Sequence, residues 1–582
     1  MTDSHNDTKL SNDLSARLSG LSEAKRKLLE QRLQQPGLTG FQLLAIQLAE
    51  LKITHVYTLV GSPLAVYLHA IDMAHIKVIC TRHQQAAVLM AASHNFLAGK
   101  LQAVAMVSPG PALTNTLTGI LVARDNAWPV ILLGSRRAET QYTDRVFQYL
   151  EGVPVFESLC KYSQTISSVK DVQQVLVTAY HQAMTGQPGP VFVELPEDIM
   201  ATHANQQMIE VPEKAEVVQF DNQSIKVAAK KLQNAKRPLV IVGPDIRWAN
   251  SHNKLLSLLE QTNTPFITMP LIQGYLPDSH RLCFNHARHQ MWMQADAIVI
   301  AGNAIDWTLR FGSEFTRDAD IIHLAFESSV SEGISNPVVH LSGDPGELLI
   351  DILQFFAAEL EDSESREFLS LWHDRAQQFT KKSLQDRDRF FEDNNNAFTV
   401  HHMVQALSEC IPENAITILD GNKSMLAAQA VISCDQPESR LMAGFNGCMG
   451  TGLPYAIAAK IRQPERAVIV VTGDVAFSFS AMELETAVRL NVPVIIVIAN
   501  NGGQTSYLNS CHSSGYSYES FGALSPKLQF DKFAISMGAH GAKVESTAEL
   551  KAALSVALSK NVPAVIDVKI NSAATYKPRR DQ

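Results

Sequence analysis

The chain has 582 residues, 46% hydrophobic and 18% charged, which is ordinary globular usage and argues against both a disordered scaffold and a membrane protein. A formal net charge of −9 without a basic stripe gives nucleic acid no electrostatic reason to bind. At roughly 100–200 residues per domain, about three to five folded units are expected.

Residues 1–36 begin with a polar stretch that has no apolar h-region, so no export signal is expected. Leu21, Leu28, Leu29 and Leu33 then recur at helical spacing until Pro36, which predicts one short amphipathic extension. Over 37–205 the runs VYTLVG (56–61), KVICT (77–81), AVAMVS (103–108), PVILLGS (129–135) and VFVELP (191–196) are separated by helix-length segments, the pattern of crossovers in a parallel sheet. The polar stretch near 202–222 reads as a linker. The alternation resumes over 223–358 with PLVIVG (238–243), PFITMP (265–270), AIVIAG (297–302) and DIIHLAF (320–326). A charged, helix-prone connector is expected over 359–395. A third unit, 396–575, carries AITILDG (415–421), AVIVVTGD (467–474), PVIIVIANN (493–501) and PAVIDVKI (563–570), before a basic tail at 576–582. The expected fold class is therefore α/β, with three domains each built on a mainly parallel sheet. Seven scattered cysteines without a CxxC pair suggest neither a disulfide framework nor a zinc site and fit the cytoplasm. No apolar run reaches the ~18 residues of a membrane span.

The strongest chemical signal is VVTGDVAFSFS followed by VIIVIANNGG. Both apolar runs end in polar residues, and ligands of open α/β sheets bind just beyond the carboxyl ends of strands. One helix, predicted near 481–490, suffices to cross between neighbouring strands, which places Asp474 beside Asn501. A carboxylate and an amide oxygen are hard ligands, too few to cage an ion alone but sufficient for magnesium that also takes diphosphate oxygens and water. The Gly503 carbonyl is a further candidate ligand.

This arrangement of GDxxF, a crossover and NN resembles the thiamine-diphosphate signature. GFNGCMGTGLPYAIAA (444–459) is similar to that family's glycine-rich stretch, in which Gly447 and the following helix start suit phosphates. The resemblance makes Met449 the residue that props the bent cofactor, and sets Gly421, Asn422, Gly473, Asp474, Val475, Ala476, Asn501 and Gly503 around it. It extends over about 38–575 and is nearest to the 2-hydroxyacyl-CoA lyase and oxalyl-CoA decarboxylase branch, with acetolactate synthase more distant. VGSP (60–63), RHQQAA (82–87), PGPALTN (109–115), VFQ (146–148), IDWTLRFG (305–312) and GDVAFSFSAMELET (473–486) carry it. It implies thiamine diphosphate and Mg2+ as cofactors, and a 2-oxo acid or acyl thioester as substrate. It also implies a homodimer or homotetramer whose site lies between two chains, and a carbon–carbon lyase, decarboxylase or carboligase reaction.

The pattern breaks at Gln84, where most of the family has a glutamate that shares a proton with N1′ of the aminopyrimidine and so promotes loss of the thiazolium C2 proton. An amide donates a hydrogen bond but has no proton to give near neutral pH. That departure opens two readings, a specialised enzyme and a cofactor-binding protein or partner subunit without turnover. A flavin-containing acetolactate-synthase-like enzyme is a third. Val475 replaces a usually small residue. His83 is a candidate acid–base group, Gln148 matches a glutamine that reaches the neighbouring subunit's site, and Asn115 lies in the lining loop. Residues 1–36 also resemble helical linkers of nonribosomal peptide synthetases, which implies a carrier-protein or synthetase partner in a biosynthetic pathway.

Overall fold

The computed structural model describes residues 37–138, 146–205, 209, 222–249, 251–327, 336–358, 363–393, 398–504 and 522–571. The extension expected over 1–36, the tail at 576–582 and most of the 202–222 linker lie outside the described residues.

The N-terminal part contains β1 (Leu38–Thr39), β2 (His55–Thr58), β3 (Lys77–Cys80), β4 (Ala103–Val107), β5 (Val130–Arg136), β6 (Ser163–Thr165), β7 (Pro190–Pro196) and β8 (His203–Ala204). Strands β1 and β8 pair antiparallel, tying the first strand to the last. The other six form one parallel sheet in the order β3-β2-β4-β5-β7-β6. All five residues of β4 are buried, as continuous apolar runs are when both sheet faces are covered.

Strands β9 (Pro238–Val242), β10 (Phe266–Thr268), β11 (Ala297–Ala301), β12 (Asp320–Ala325) and β13 (Val338–Ser342) form the central parallel sheet, ordered β10-β9-β11-β12-β13. The charged connector contains the helix Ser363–Asp393. It packs on this sheet through buried Trp372, whose indole Nε1 donates to the Pro238 carbonyl at 3.0 Å.

The C-terminal part contains β14 (Ile416–Leu419), β15 (Arg440–Met442), β16 (Val468–Gly473), β17 (Ile495–Asn500), β18 (His540–Val544) and β19 (Ala564–Lys569), ordered β15-β14-β16-β17-β19-β18 and parallel throughout. The fold class expected from the alternating runs is the one observed. The helix Gln84–Ala98 is buried nearly all round, because one side faces its own sheet and another packs along the helix Gly452–Arg462 of the C-terminal part. Trp128 extends this seam, its ring 4.6 Å from Phe96 and 5.4 Å from Tyr455. The six cysteines among the described residues are unpaired. Among those residues no helix is long and apolar enough to cross a membrane.

Candidate active site at the strand ends

Strands β16 and β17 lie side by side with Gly473 opposite Ala499, so the residues that follow them emerge at one edge. The crossover expected near 481–490 occurs as the helix Glu483–Arg489. Asp474 opens the helix Asp474–Ser480 and is 2% exposed. Its Oδ1 accepts from the Val475 N–H at 2.7 Å, and its Oδ2 accepts from the N–H groups of Gly502 and Gly503 at 2.8 and 2.9 Å. The Asn501 N–H also bonds this carboxylate; burial raises its pKa while all four donors oppose the rise. Of the adjacent asparagines, buried Asn500 is a structural strut, donating to Asp567 Oδ1 at 2.7 Å and accepting from the Gly502 N–H at 3.2 Å. Half-buried Asn501 follows at the rim beside Asp474. The turn needs glycine: Gly503 has φ +146, and a Cβ there would lie 2.2 Å from the Gly522 carbonyl oxygen.

One strand over, Asp420 directly follows β14 and is 1% exposed. Its carboxylate accepts from the N–H groups of Gly421 at 2.6 Å, Gly450 at 3.1 Å and Gly452 at 3.0 Å. Burial nevertheless pushes its pKa up to about 6. This pins the start of the helix Gly452–Arg462 to the end of β14 and leaves Gly447, exposed at φ +62, and half-buried Met449 in an arch above. The other foot of the arch rests on the N-terminal part. There the Phe445 N–H donates to Asn126 Oδ1 at 3.0 Å, and Asn446 Nδ2 donates to Asp125 Oδ2 at 3.2 Å. Gly421 at φ +81, Gly473 and Ala476 converge below. A Cβ on Gly421 would come 3.3 Å from the Gly473 nitrogen and 3.5 Å from Ala476 Cβ. Exposed Asn422 precedes the helix Lys423–Val431, and half-buried Val475 flanks Asp474. A cradle walled by glycine and alanine, with the Asp474 carboxylate at its edge, leaves room for a diphosphate with a hard divalent ion. Among the described residues no three His, Cys, Asp or Glu side chains gather as a metal cage.

The N-terminal candidates form a second cluster. Asn115 Nδ2 donates to Gln84 Oε1 at 3.0 Å, which leaves the Gln84 amide N–H2 as its donor end. His83 caps the helix Gln84–Ala98, its Nδ1 accepting from the Gln85 N–H at 3.1 Å, and burial lowers its pKa. Gln148, at φ +63, accepts from Arg137 at 3.3 Å and packs its backbone on Gly110, where a Cβ would lie 3.0 Å from Gln148 Cα.

Two carboxylates escaped the sequence reading. Asp420 gave a partial signal, ending an apolar run just as Asp474 does. Glu483 gave none: it is 2% exposed, and its Oε1 accepts from the N–H groups of Arg82 and His83 at 2.9 and 3.0 Å, far away along the chain. A carboxylate of the C-terminal part thus holds the turn that presents Gln84.

In the central sheet, the crevice between the ends of β9 and β11 is closed. A Cβ on Gly243 would lie 2.2 Å from the Gly302 oxygen, and buried Asp245 sits over Gly302 while accepting from Gln187 Nε2 at 2.9 Å. Burial pushes the Asp245 pKa up to about 7, with Asp344 adding to the rise.

With this geometry in place, residues 38–154, 225–352 and 420–568 match the N-terminal TPP binding, central and C-terminal TPP binding domains of thiamine pyrophosphate enzymes. The chain is 28% identical over 563 residues to 2-hydroxyacyl-CoA lyase 1 of Homo sapiens, covering 93% of this chain and 96% of that protein. Against the 2-hydroxyacyl-CoA lyase of Arabidopsis thaliana it is 27% identical over 582 residues, covering 94% and 98%. Against the acetolactate synthase large subunit of Mycobacterium tuberculosis it is 28% identical over 547 residues, covering 93% and 97%.

Proposed function

We propose, from the premise that this chain belongs to the thiamine pyrophosphate-dependent enzymes of the 2-hydroxyacyl-CoA lyase and acetolactate synthase branch, that it breaks or forms a carbon–carbon bond beside a carbonyl group. The acyl donor is a 2-oxo acid or a 2-hydroxyacyl or acyl thioester. Its cofactors are thiamine diphosphate and Mg2+. When bound, the thiazolium supplies the carbanion chemistry that a carbonyl carbon lacks by itself.

The protein's own groups then have separable tasks. Asp474, the Asn501 amide and the Gly503 carbonyl are the proposed magnesium ligands, diphosphate oxygens completing the shell. Gly421, Asn422, Gly447, Gly473, Val475 and Ala476 line the diphosphate, and Met449 supports the bend. Gln84 donates its amide to the aminopyrimidine in place of a carboxyl proton, with Asn115 fixing which end of the amide faces outward. His83, tied up as a helix cap, orients that turn, and Gln148 faces the substrate from the neighbouring loop. The reading rests above all on the buried Asp474 carboxylate beside Asn501 at adjoining strand ends.

The reading includes a homodimer or homotetramer that pairs the N-terminal part of one chain with the C-terminal part of another. Phe479 and Met482, 65% and 52% exposed just after Asp474, support that face. A carrier-protein or synthetase partner acting through residues 1–36 and a cytoplasmic location complete the proposal. A flavin in the central part has less support, because buried Asp245 over Gly302 would face an anionic diphosphate there.

The test is incubation of the magnesium-loaded protein with panels of 2-oxo acids and 2-hydroxyacyl thioesters, with products identified by mass spectrometry. Aldehydes, shortened thioesters or carboligation products are the expected result. No product from any donor, alongside intact magnesium-dependent cofactor uptake, would replace this reading with the binding role that the Gln84 departure leaves open.

A further inference from the structure

His55 and Lys77 open the parallel strands β2 and β3 and lie side by side in register, so their side chains leave the same face of the sheet. The helix Gln84–Ala98 covers that face and sets the buried ring of His94 4.7 Å from the ring of His55. The helix Gly452–Arg462 packs along it and brings Arg462, its last residue, to the same two imidazoles. Four basic groups from four elements therefore share one corner of the seam between the N- and C-terminal parts. The corner lies at the amino end of β3, whereas Gln84 follows the carboxyl end of that strand.

No acid meets this charge. Among the described residues no carboxylate pairs with exposed Lys77 or half-buried Arg462, and Arg462 Nε is buried without a hydrogen-bond partner. A buried donor left unmet is uncommon in folded chains and calls for a partner from outside. The charged neighbours of His55 are Lys77 and Arg462, those of His94 are His55 and Arg462, and the phenol of Tyr57 is the remaining contact. The hydrogen bonds also fix where the ring protons sit. Burial keeps the Tyr57 phenol protonated, and it donates to His94 Nδ1 at 3.1 Å, so the proton of His94 is on Nε2. The Thr54 hydroxyl donates to the Gln102 carbonyl at 3.3 Å and so accepts from His55 Nδ1 at 2.8 Å, which leaves His55 Nε2 bare in the neutral ring.

We propose that this corner binds a free tetrahedral oxyanion, inorganic phosphate or sulfate, between Lys77, Arg462, His55 and His94. The guanidinium, the ammonium and His94 Nε2 donate to its oxygens as charge-assisted or neutral hydrogen bonds. His55 Nε2 takes a proton from solvent and becomes the fourth donor, because the anion offsets the positive neighbours that otherwise hold that proton off. Two fixed cations and one recruited proton suit a dianion better than a carboxylate. The occupant ties two strands of the N-terminal part to the last turn of a C-terminal helix. It is separate from the cradle at Asp474 and takes no part in turnover, so the inference stands apart from the reaction assigned above.

Titration calorimetry on the full chain tests it, with sulfate as the main probe because its charge is constant near neutral pH, and with phosphate and acetate for comparison. Saturable sulfate binding is expected, tightening about ten-fold from about pH 8 to about pH 6 as His55 takes up its proton. Lys77→Gln and Arg462→Gln should each weaken it about ten-fold or more, the scale of a lost charge-assisted bond. His55→Asn should keep part of the affinity and lose the pH dependence. The Lys77 side chain is exposed, and an unchanged thermal transition shows that its variant folds. Phosphate should follow sulfate, with acetate weaker. No sulfate binding, binding that Lys77→Gln and Arg462→Gln both leave intact, or a pH dependence that survives His55→Asn overturns the proposal. Acetate held as tightly as sulfate overturns the tetrahedral assignment. Sulfate lodged in the Asp474 cradle would be indifferent to Lys77→Gln and so counts against it.

Discussion

The N- and C-terminal six-stranded sheets have the same strand order once β2 is matched to β14 and the rest follow in sequence, yet their carboxyl ends carry different chemistry. Strands β14 and β16 run directly into Asp420 and Asp474, whereas the matching β2 and β4 lead to Gly61 and Ser108, close enough that a Cβ on Gly61 would lie 2.9 Å from the Ser108 hydroxyl. The polar groups of the N-terminal part come instead from amides set back on a helix start and a loop, Gln84 and Asn115. Equal topology therefore fixes where a ligand can lie, while the residue type at each strand end fixes what it is: carboxylates suit a metal and its phosphates, amides suit a flat heterocycle. The two sheets even meet through matching elements, the helices Gln84–Ala98 and Gly452–Arg462 that follow β3 and β15.

The sharpest way to break this contrast is Asp474→Ala set against Ser108→Ala. Magnesium-dependent cofactor uptake, followed by calorimetry, should weaken by more than the ~10–100-fold that loss of an outer-shell partner costs a metal site. Ser108→Ala should leave it unchanged. Equal losses in both would remove the asymmetry.

Converting an N-terminal amide to a carboxyl is the next largest change. Gln84→Glu should speed hydrogen–deuterium exchange at C2 of the bound cofactor by ~10²–10⁴-fold, the range of general acid–base catalysis. An unchanged exchange rate would mean that Gln84 does not face the aminopyrimidine.

Asp420→Ala strands backbone donors at Gly450 and Gly452, and urea unfolding should reveal a loss of at least about 1–3 kcal/mol. Asp420→Asn, which retains one acceptor, should lose less. If neither variant is destabilised, the arch over the cradle is held by something else.

The smallest effect is one of pH, and it runs in opposite directions in the two parts. His55 and His94 are held down to about 4 and about 3, chiefly by burial, with Lys77 and Arg462 adding to His55, and His55 and Arg462 adding to His94. Both rings are neutral in the fold but gain a proton in the unfolded chain near the ordinary ~6.5, so N-terminal stability is full above that pH and is lost as pH falls toward 4. Asp420 is displaced upward, beside Cys448 and Tyr455, so the penalty of burying its charge is relieved as pH falls through about 6. Hydrogen exchange at pH 7 and pH 5 should show protection dropping first in β2 and the helix Gln84–Ala98. Earlier loss around β14 would reverse the assignment.

Much of this was legible in the chain because a buried strand is a run of apolar residues and its end is where that run stops. By that rule Asp474 and the neighbouring NN turn stood out, and Gln84 stood out against a known pattern. Asp420 was harder to weigh because its partners are backbone N–H groups of a later loop, which carry no residue signature. Which asparagine of the pair is the strut depended on the register of β17, and a shift of one residue exchanges inward and outward positions. The burial of Trp372 was hidden by the charge around it in the connector. Glu483 could not be read at all, since its worth depends on two peptide groups near the other end of the chain.

That carboxylate has a consequence for how the molecule comes apart. Glu483 is dry, and its Oε1 accepts from the backbone N–H groups of Arg82 and His83, so separating the halves breaks two charge-assisted hydrogen bonds formed away from water. Heat unfolding of the first and last parts should therefore be coupled, even where local exchange differs between them. Neither should survive as a well-behaved fragment when expressed alone.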